Sequence, residues 1–217
     1  MRAELAALEA RLCERAPSGP AKITGRLGER SFVLHWTGDG AARARGLERA
    51  LRAVQPSGVH VVGLCGGLDP ALAPLDVVEV GAVVDAGGAT LHALARGDGV
   101  LFSAPEISSQ PAEKASRWRA MGSPPRAVVD LETTTYAALV AGTGLPLRVT
   151  RVVSDAAHEP IPDVIGASTR ADGSVAPLGV ALRAALRPRT WRPLTELSRR
   201  LGRGADLLAD AVLSSRP

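Results

Sequence analysis

Strand-sized apolar runs that each end in a glycine turn or a carboxylate, with helix-period segments between them, constrain this chain more than any other feature. SFVLHW (31–36) runs into TGDG, SGVHVVGL (57–64) into CGGLDP, and PRAVVD (125–130) into Leu131-Glu132. LPLRVTRVVSD (145–155) ends on Ser154-Asp155. LDVVEVGAVVDAGG is a further strand, and 89–108 supplies one or two strands or hairpin edges. Between them, AARARGLERALRAV, QPAEKASRWRAMG and LETTTYAALVAGTG carry helical spacing, the last closed by Gly144. ELAALEARLCERA at the start has apolar residues at 5, 8 and 12, on one face of a helix. Strands alternating with helices predict an α/β fold with a central mixed sheet flanked by helices.

The flanks of this pattern are less regular. APSGPAKITGRLGE (16–29) is a turn-rich break. From about 174 to 217 the chain is a helical tail, two helices separated by a proline-containing break. No repeat or long linker divides the 217 residues, so one domain, 1–217, is expected.

Composition narrows the function. The pI of 9.8 invites a nucleic-acid partner. The net charge is only +4, aromatics for base stacking are 3%, and the basic residues gather in the C-terminal RAALRPRTWRPLTELSRRLGRG. No nucleic-acid role is expected. No apolar run approaches the ~18 residues of a membrane helix, and Glu4, Glu9 and Arg11 interrupt any signal-like core. A cytoplasmic, soluble protein with no membrane span follows. Cys13 and Cys65 lack CxxC spacing and His partners, so no metal site or disulfide is expected and both read as small buried hydrophobes.

In α/β sheets ligands bind beyond the carboxyl ends of the strands, and all four motifs stand there. Taken singly, TGDG and CGGLDP are ordinary glycine turns, Asp130 a strand-to-helix junction residue, Glu132 a first-turn charge favoured by the helix dipole, and Ser154-Asp155 a cap. Neither glycine motif is a Walker A loop or GxGxxG. Their joint order is more informative.

TGDGAARA is similar to a TGxGxxxA loop, GLCGGLDPALAPLDVV to GxxGGLxxxLxxGDxV, and PAEKASRWRAMGSPPRAVVDLETTTYA to EKxxL followed by VDMEsxxxA. LPLRVTRVVSDAA is similar to a strand ending RxISDxA. Together, over roughly residues 1–165, these segments resemble the purine nucleoside phosphorylase and nucleosidase superfamily and look methylthioadenosine nucleosidase-like. The resemblance implies cleavage of the N-ribosidic bond of a purine-type nucleoside through an oxocarbenium-like transition state. It implies that Asp155 is the general acid to the base, oriented by Ser154, and that Glu132 grips the ribose hydroxyls. Glu4 would activate water with Arg151 beside it. Leu131, Gly66, Gly67, Ile107, Thr37 and Gly38 would line the substrate. No cofactor is implied beyond phosphate as co-substrate of a phosphorolytic enzyme, and a homodimer is implied by the family's habit.

Departures shape the expectation. The chain begins where the family's first buried strand should already have ended, so the first strand is expected to be truncated, either because the true start lies upstream of Met1 or because the sheet lacks that strand. Leu64 stands where many members have Ser or Thr. No arginine precedes GLCGG to bind phosphate, which favours hydrolysis, although Arg43 or Arg45 stands after TGDG. Ile107 occupies the place of a base-stacking aromatic, with Phe102 nearby. These changes and the Arg-rich tail look more like the hopanoid-associated phosphorylase branch, a looser resemblance than that to the superfamily as a whole. That branch implies an alternative, phosphorolysis of an adenosyl-lipid. A non-catalytic nucleoside-binding protein of the same fold is the other alternative.

Overall fold

The computed structural model describes residues 2–19, 22–35, 40–162, 165, 189 and 191–214. Its elements follow in the order α1 (Arg2–Arg11), β1 (Cys13–Gly19), β2 (Lys22–Leu27), β3 (Arg30–His35), α2 (Gly40–Val54), β4 (Val59–Gly67), β5 (Val77–Val84), β6 (Thr90–Ala93), β7 (Gly99–Ser103), α3 (Pro111–Ala120), β8 (Ala127–Asp130), α4 (Thr133–Ala141), β9 (Leu147–Asp155) and α5 (Trp191–Ser214). The α/β class and the mixed central sheet expected from the sequence are both present.

Two nine-residue strands, β4 and β9, lie parallel from Val59 opposite Leu147 to Gly66 opposite Asp155. The full central sheet has the order β6-β5-β7-β8-β4-β9, with β7 and β8 parallel and β4 antiparallel to β8. It does not stay open. β9 also pairs with β5, Val77 opposite Val152, so β5, β7, β8, β4 and β9 close on themselves. β-Branched side chains suit a pleated, buried surface, and the interior is filled largely by valine: Val78, Val80, Val83, Val128, Val149 and Val153 are wholly buried there with Leu101. On one side β4 pairs with β9 throughout, while on the other it meets β8 only at Gly66 and Gly67.

The region expected to be a turn-rich break is β-structure. β1, β2 and β3 form a separate antiparallel meander, in which Leu27 pairs with Arg30 across a two-residue turn. Gly28 adopts φ +57° there, as primed hairpin turns require. Gly25 is glycine because a Cβ would lie 2.8 Å from Leu12 Cβ. Pro17 and Gly19 are tolerated because β1 is an edge strand. No described strand precedes α1.

The tail also differs from expectation. Trp191–Ser214 is one continuous helix of 24 residues with Pro193 in its first turn, where the missing N–H breaks no helical bond. The first of the two expected tail helices falls mainly on 166–188, outside the described residues. α5 packs on α1 through Leu8, Leu12, Ala209 and Val212, joined by Leu34 of β3. Gly204 lets it approach the sheet, since a Cβ would meet Leu64 Cδ2 at 2.8 Å. Arg30 donates to the carbonyls of Leu213 and Val212 and so covers the helix's C-terminal end. α4 ends at Ala141, earlier than its expected closure at Gly144; Gly144 instead turns the chain at φ +71° before β9. Cys65 is buried as expected, whereas Cys13 is exposed on its edge strand.

Candidate active site

Three strands end together because of their pairing. Gly66 faces Val129 on one side and Asp155 on the other, with an irregularity in the β4–β9 ladder between Cys65 and Gly66. The irregularity brings Asp155 beside Gly66, whose missing side chain leaves room: a Cβ there would sit 3.2 Å from Asp155 Oδ2. Gly67 lies beneath, against the Asp155 backbone and Val153.

Asp155 is only 6% exposed, and both of its oxygens are held. Lys114 Nζ donates to Oδ2 at 2.5 Å, and Ser154 Oγ lies 2.5 Å from Oδ1. Lys114 is itself fully buried and spends its other protons on the carbonyls of Ala156 (2.8 Å) and Glu159 (3.0 Å). It sits in the first turns of α3, started by Pro111 and favoured by Glu113 near its N-terminus. Ser154 Oγ also lies 3.0 Å from the Cys65 carbonyl. A hydroxyl carries one proton, so Ser154 donates either to Asp155 or to Cys65. When it turns to Cys65, its contact with Asp155 is a hydrogen bond only if Asp155 carries the proton. The site thus accommodates Asp155 in both protonation states. Burial pushes the Cys65 thiol up, keeping it neutral and unreactive.

The loop after Asp155 is pinned from outside. Glu159 Oε2 accepts from the Ala156 N–H, and Arg200 on α5 holds both Glu159 oxygens, at 2.7 and 3.0 Å. The hydrogen bond from Arg200 holds the Glu159 carboxyl below its usual range and raises Arg200 in turn.

A second buried pair lies at the end of β8. Arg151 Nη2 donates to Asp130 Oδ2 and to Thr133 Oγ1, each at 2.5 Å. Asp130 also accepts from the Ser103 hydroxyl (2.6 Å) and from the backbone N–H of Glu132 and Thr133. Its side chain therefore satisfies the otherwise orphaned first N–H of α4. Asp130 is the strand-to-helix junction residue expected from the sequence, and it is also the anchor of Arg151. The guanidinium lies against Gly63, where any Cβ would clash with Nη1 and would sit 3.4 Å from Glu4 Oε1. Glu4, from α1, accepts the Leu64 N–H at 3.0 Å. Glu132 stands at the start of α4 and accepts from the Tyr136 hydroxyl at 3.1 Å.

Asp155, Ser154, Glu132, Leu131, Arg151 and Glu4 open onto one cavity of about 1490 Å³, as do Gly66 and Ile107. Gly67 supports the floor without lining it. Thr37 and Gly38 lie outside the described residues. Among the alternative phosphate ligands, Arg45 is exposed, and the Arg43 side chain is outside the described set. Ligand pockets are commonly 300–1,000 Å³, and this one is larger because it continues past Leu64 between the edges of β3 and β4 that have no partner among the described residues, along Leu34, Val59 and Val61. Sequence reasoning missed Lys114, Glu159 and Arg200 as parts of the site. Only Lys114 left a trace: it is the lysine of the segment similar to EKxxL, one of two lysines among the 26 basic residues, and it is buried here.

No protein-family model and no curated protein sequence matches the chain. Solved structures do match in fold. Futalosine hydrolase of Helicobacter pylori, as a mutant, superposes with TM-score 0.70 at 14% identity, covering 99% of this chain and 94% of that one. The 5′-methylthioadenosine/S-adenosylhomocysteine nucleosidase of S. pneumoniae, with the transition-state inhibitor MT-ImmA, gives 0.69 at 14% identity over 98% and 94%. The corresponding nucleosidase of Colwellia psychrerythraea, in complex with adenine, gives 0.63 at 19% identity over 75% and 82%. At these identities the likeness shows a shared fold.

Proposed function

We propose that this chain hydrolyses the N-ribosidic bond of a purine-type nucleoside. The observation that carries the reading is Asp155, a buried carboxylate held on both oxygens, in the same cavity as Glu132 and Glu4. Such bond cleavage needs a proton for the leaving base, negative charge near the sugar and an activated water. The three carboxylates supply these from three different elements. Two of the similar structures are of 5′-methylthioadenosine/S-adenosylhomocysteine nucleosidases and one is of a futalosine hydrolase, which supports a hydrolytic reading.

In the proposed reaction Asp155 enters protonated, and Ser154 points its own proton at the Cys65 carbonyl. As the C1′–N bond breaks, its electron pair stays with the base and Asp155 delivers its proton to a base nitrogen. Ser154 then turns its proton to the new carboxylate. Glu132 grips the ribose hydroxyls, a charge-assisted contact that strengthens as the ring becomes cationic. Glu4 takes one proton from water as the oxygen adds to C1′. Arg151, fixed by Asp130 and Thr133, holds positive charge beside Glu4 at Gly63. Ile107 lines the cavity as an aliphatic wall in place of an aromatic one. The products are free base and ribose, with one proton returned to Asp155 from Glu4 through solvent.

Incubation of the purified protein with adenosine, methylthioadenosine and futalosine, with and without phosphate, tests the reading. The expected result is free base released from at least one of them without phosphate. Strict phosphate dependence would favour the phosphorolytic alternative, and ligand binding with no turnover would favour a non-catalytic nucleoside binder.

A further inference from the structure

Resting on the reading of Asp155 as the acid, we infer that Lys114 is a positioning residue for that acid and the counter-charge for the carboxylate left when it gives up its proton. Lys114 is wholly buried, and its three donors meet three oxygens: Asp155 Oδ2 at 2.5 Å, Ala156 O at 2.8 Å and Glu159 O at 3.0 Å. With every proton committed, it has none to offer a substrate and acts only through Asp155. The other Asp155 oxygen lies against Ser154 Oγ, and Ser154 and Asp155 both line the cavity.

The step is balanced within the site. A proton leaves Asp155 for the base, the C1′–N electron pair goes with the base, and Asp155 becomes an anion. Forming an isolated carboxylate in a buried position is costly, and an ammonium already in contact offsets that cost at the moment it arises. A compact ammonium with three separately directed donors fits this pocket, whereas a planar guanidinium would not match its three acceptors. That fits the use of lysine here in a chain whose basic residues are almost all arginine. The pocket is also braced. Glu159, whose carbonyl receives Lys114, is clamped by Arg200 and accepts the Ala156 N–H.

A double-mutant cycle separates this role from a merely structural one. Lys114→Met, Lys114→Gln and Asp155→Asn are made singly, and each lysine variant is combined with Asp155→Asn. Turnover is then measured on whichever of the three nucleosides the wild-type protein cleaves. Each lysine variant is expected to lower kcat by about 10- to 100-fold, a part of the whole acid effect. In the Asp155→Asn background the same change should alter kcat by less than about threefold. The uncharged double variants carry no unpaired buried carboxylate and test the residue without that burden on folding. Equal losses in both backgrounds would overturn the role of Lys114 while leaving the acid assignment intact. Full activity in Asp155→Asn would overturn the reading on which it rests.

Discussion

At the scale of single residues, the site is built from two buried cation–carboxylate contacts that do different work. Lys114–Asp155 reaches the cavity only through Asp155, while Arg151 and Asp130 both line it and tie the end of β8 to β9. The second pair is 5% exposed on each side chain. Deleting one partner of such a pair leaves an uncompensated charge and typically costs about 3–5 kcal/mol. Arg151→Leu should therefore lower unfolding free energy in urea by that order, with an unchanged denaturant slope; a loss below about 1 kcal/mol would contradict the geometry. These residues also mark what was legible in the sequence. Asp155 and Glu132 stood out because they close apolar runs, and the structure puts both on one cavity. Lys114 was visible as the lysine of the segment similar to EKxxL, but its role was not, because its partner lies 41 residues away. Asp130 was legible as a junction and opaque as an anchor for the same reason.

At the scale of elements, the parallel β4–β9 ladder decides where the candidate site stands. His60 on β4 lies 2.8 Å from Thr150 Oγ1 on β9, and burial, reinforced by Arg148, lowers its pKa from 6.5 to about 4. The unfolded chain therefore binds a proton between pH 6.5 and 4 that the folded ladder refuses. Stability from this residue is fully present above pH 6.5 and is lost as pH falls toward 4. By linkage the difference between pH 7 and pH 5 is about 2 kcal/mol. Denaturant unfolding of wild type and His60→Gln at the two pH values should show the wild type losing about that much more; parallel losses would contradict the assignment. The β1–β3 meander illustrates the opposite case of legibility. Pro17, Gly19, Gly25 and Gly28 mimic a loop in local sequence, and the strands exist because β2 finds β3 in full register and Gly25 packs beneath Leu12. Pairing partners, not local propensity, make those residues strand.

At the scale of the whole molecule, closure of the sheet through β5 and β9 brings the ends of β4, β8 and β9 to one place, and α1 and α5 seal that end. α1 delivers Glu4 to Leu64, and α5 delivers Arg200 to the loop behind Asp155. Alternation of strands and helices made the α/β class legible, but closure was not, because the β5–β9 pairing joins segments about seventy residues apart without a local signal. Among the described residues, no helix is long and apolar enough to cross a membrane. The proposed function rests on a proton donated by Asp155, and single-turnover base release by wild type and Asp155→Asn tests that directly. On the nucleoside the wild type cleaves fastest, Asp155→Asn should release base about 10²- to 10⁴-fold more slowly while unfolding cooperatively and binding the free base. Release within threefold of the wild-type rate, or no release by the wild type from any of the three nucleosides, would contradict it.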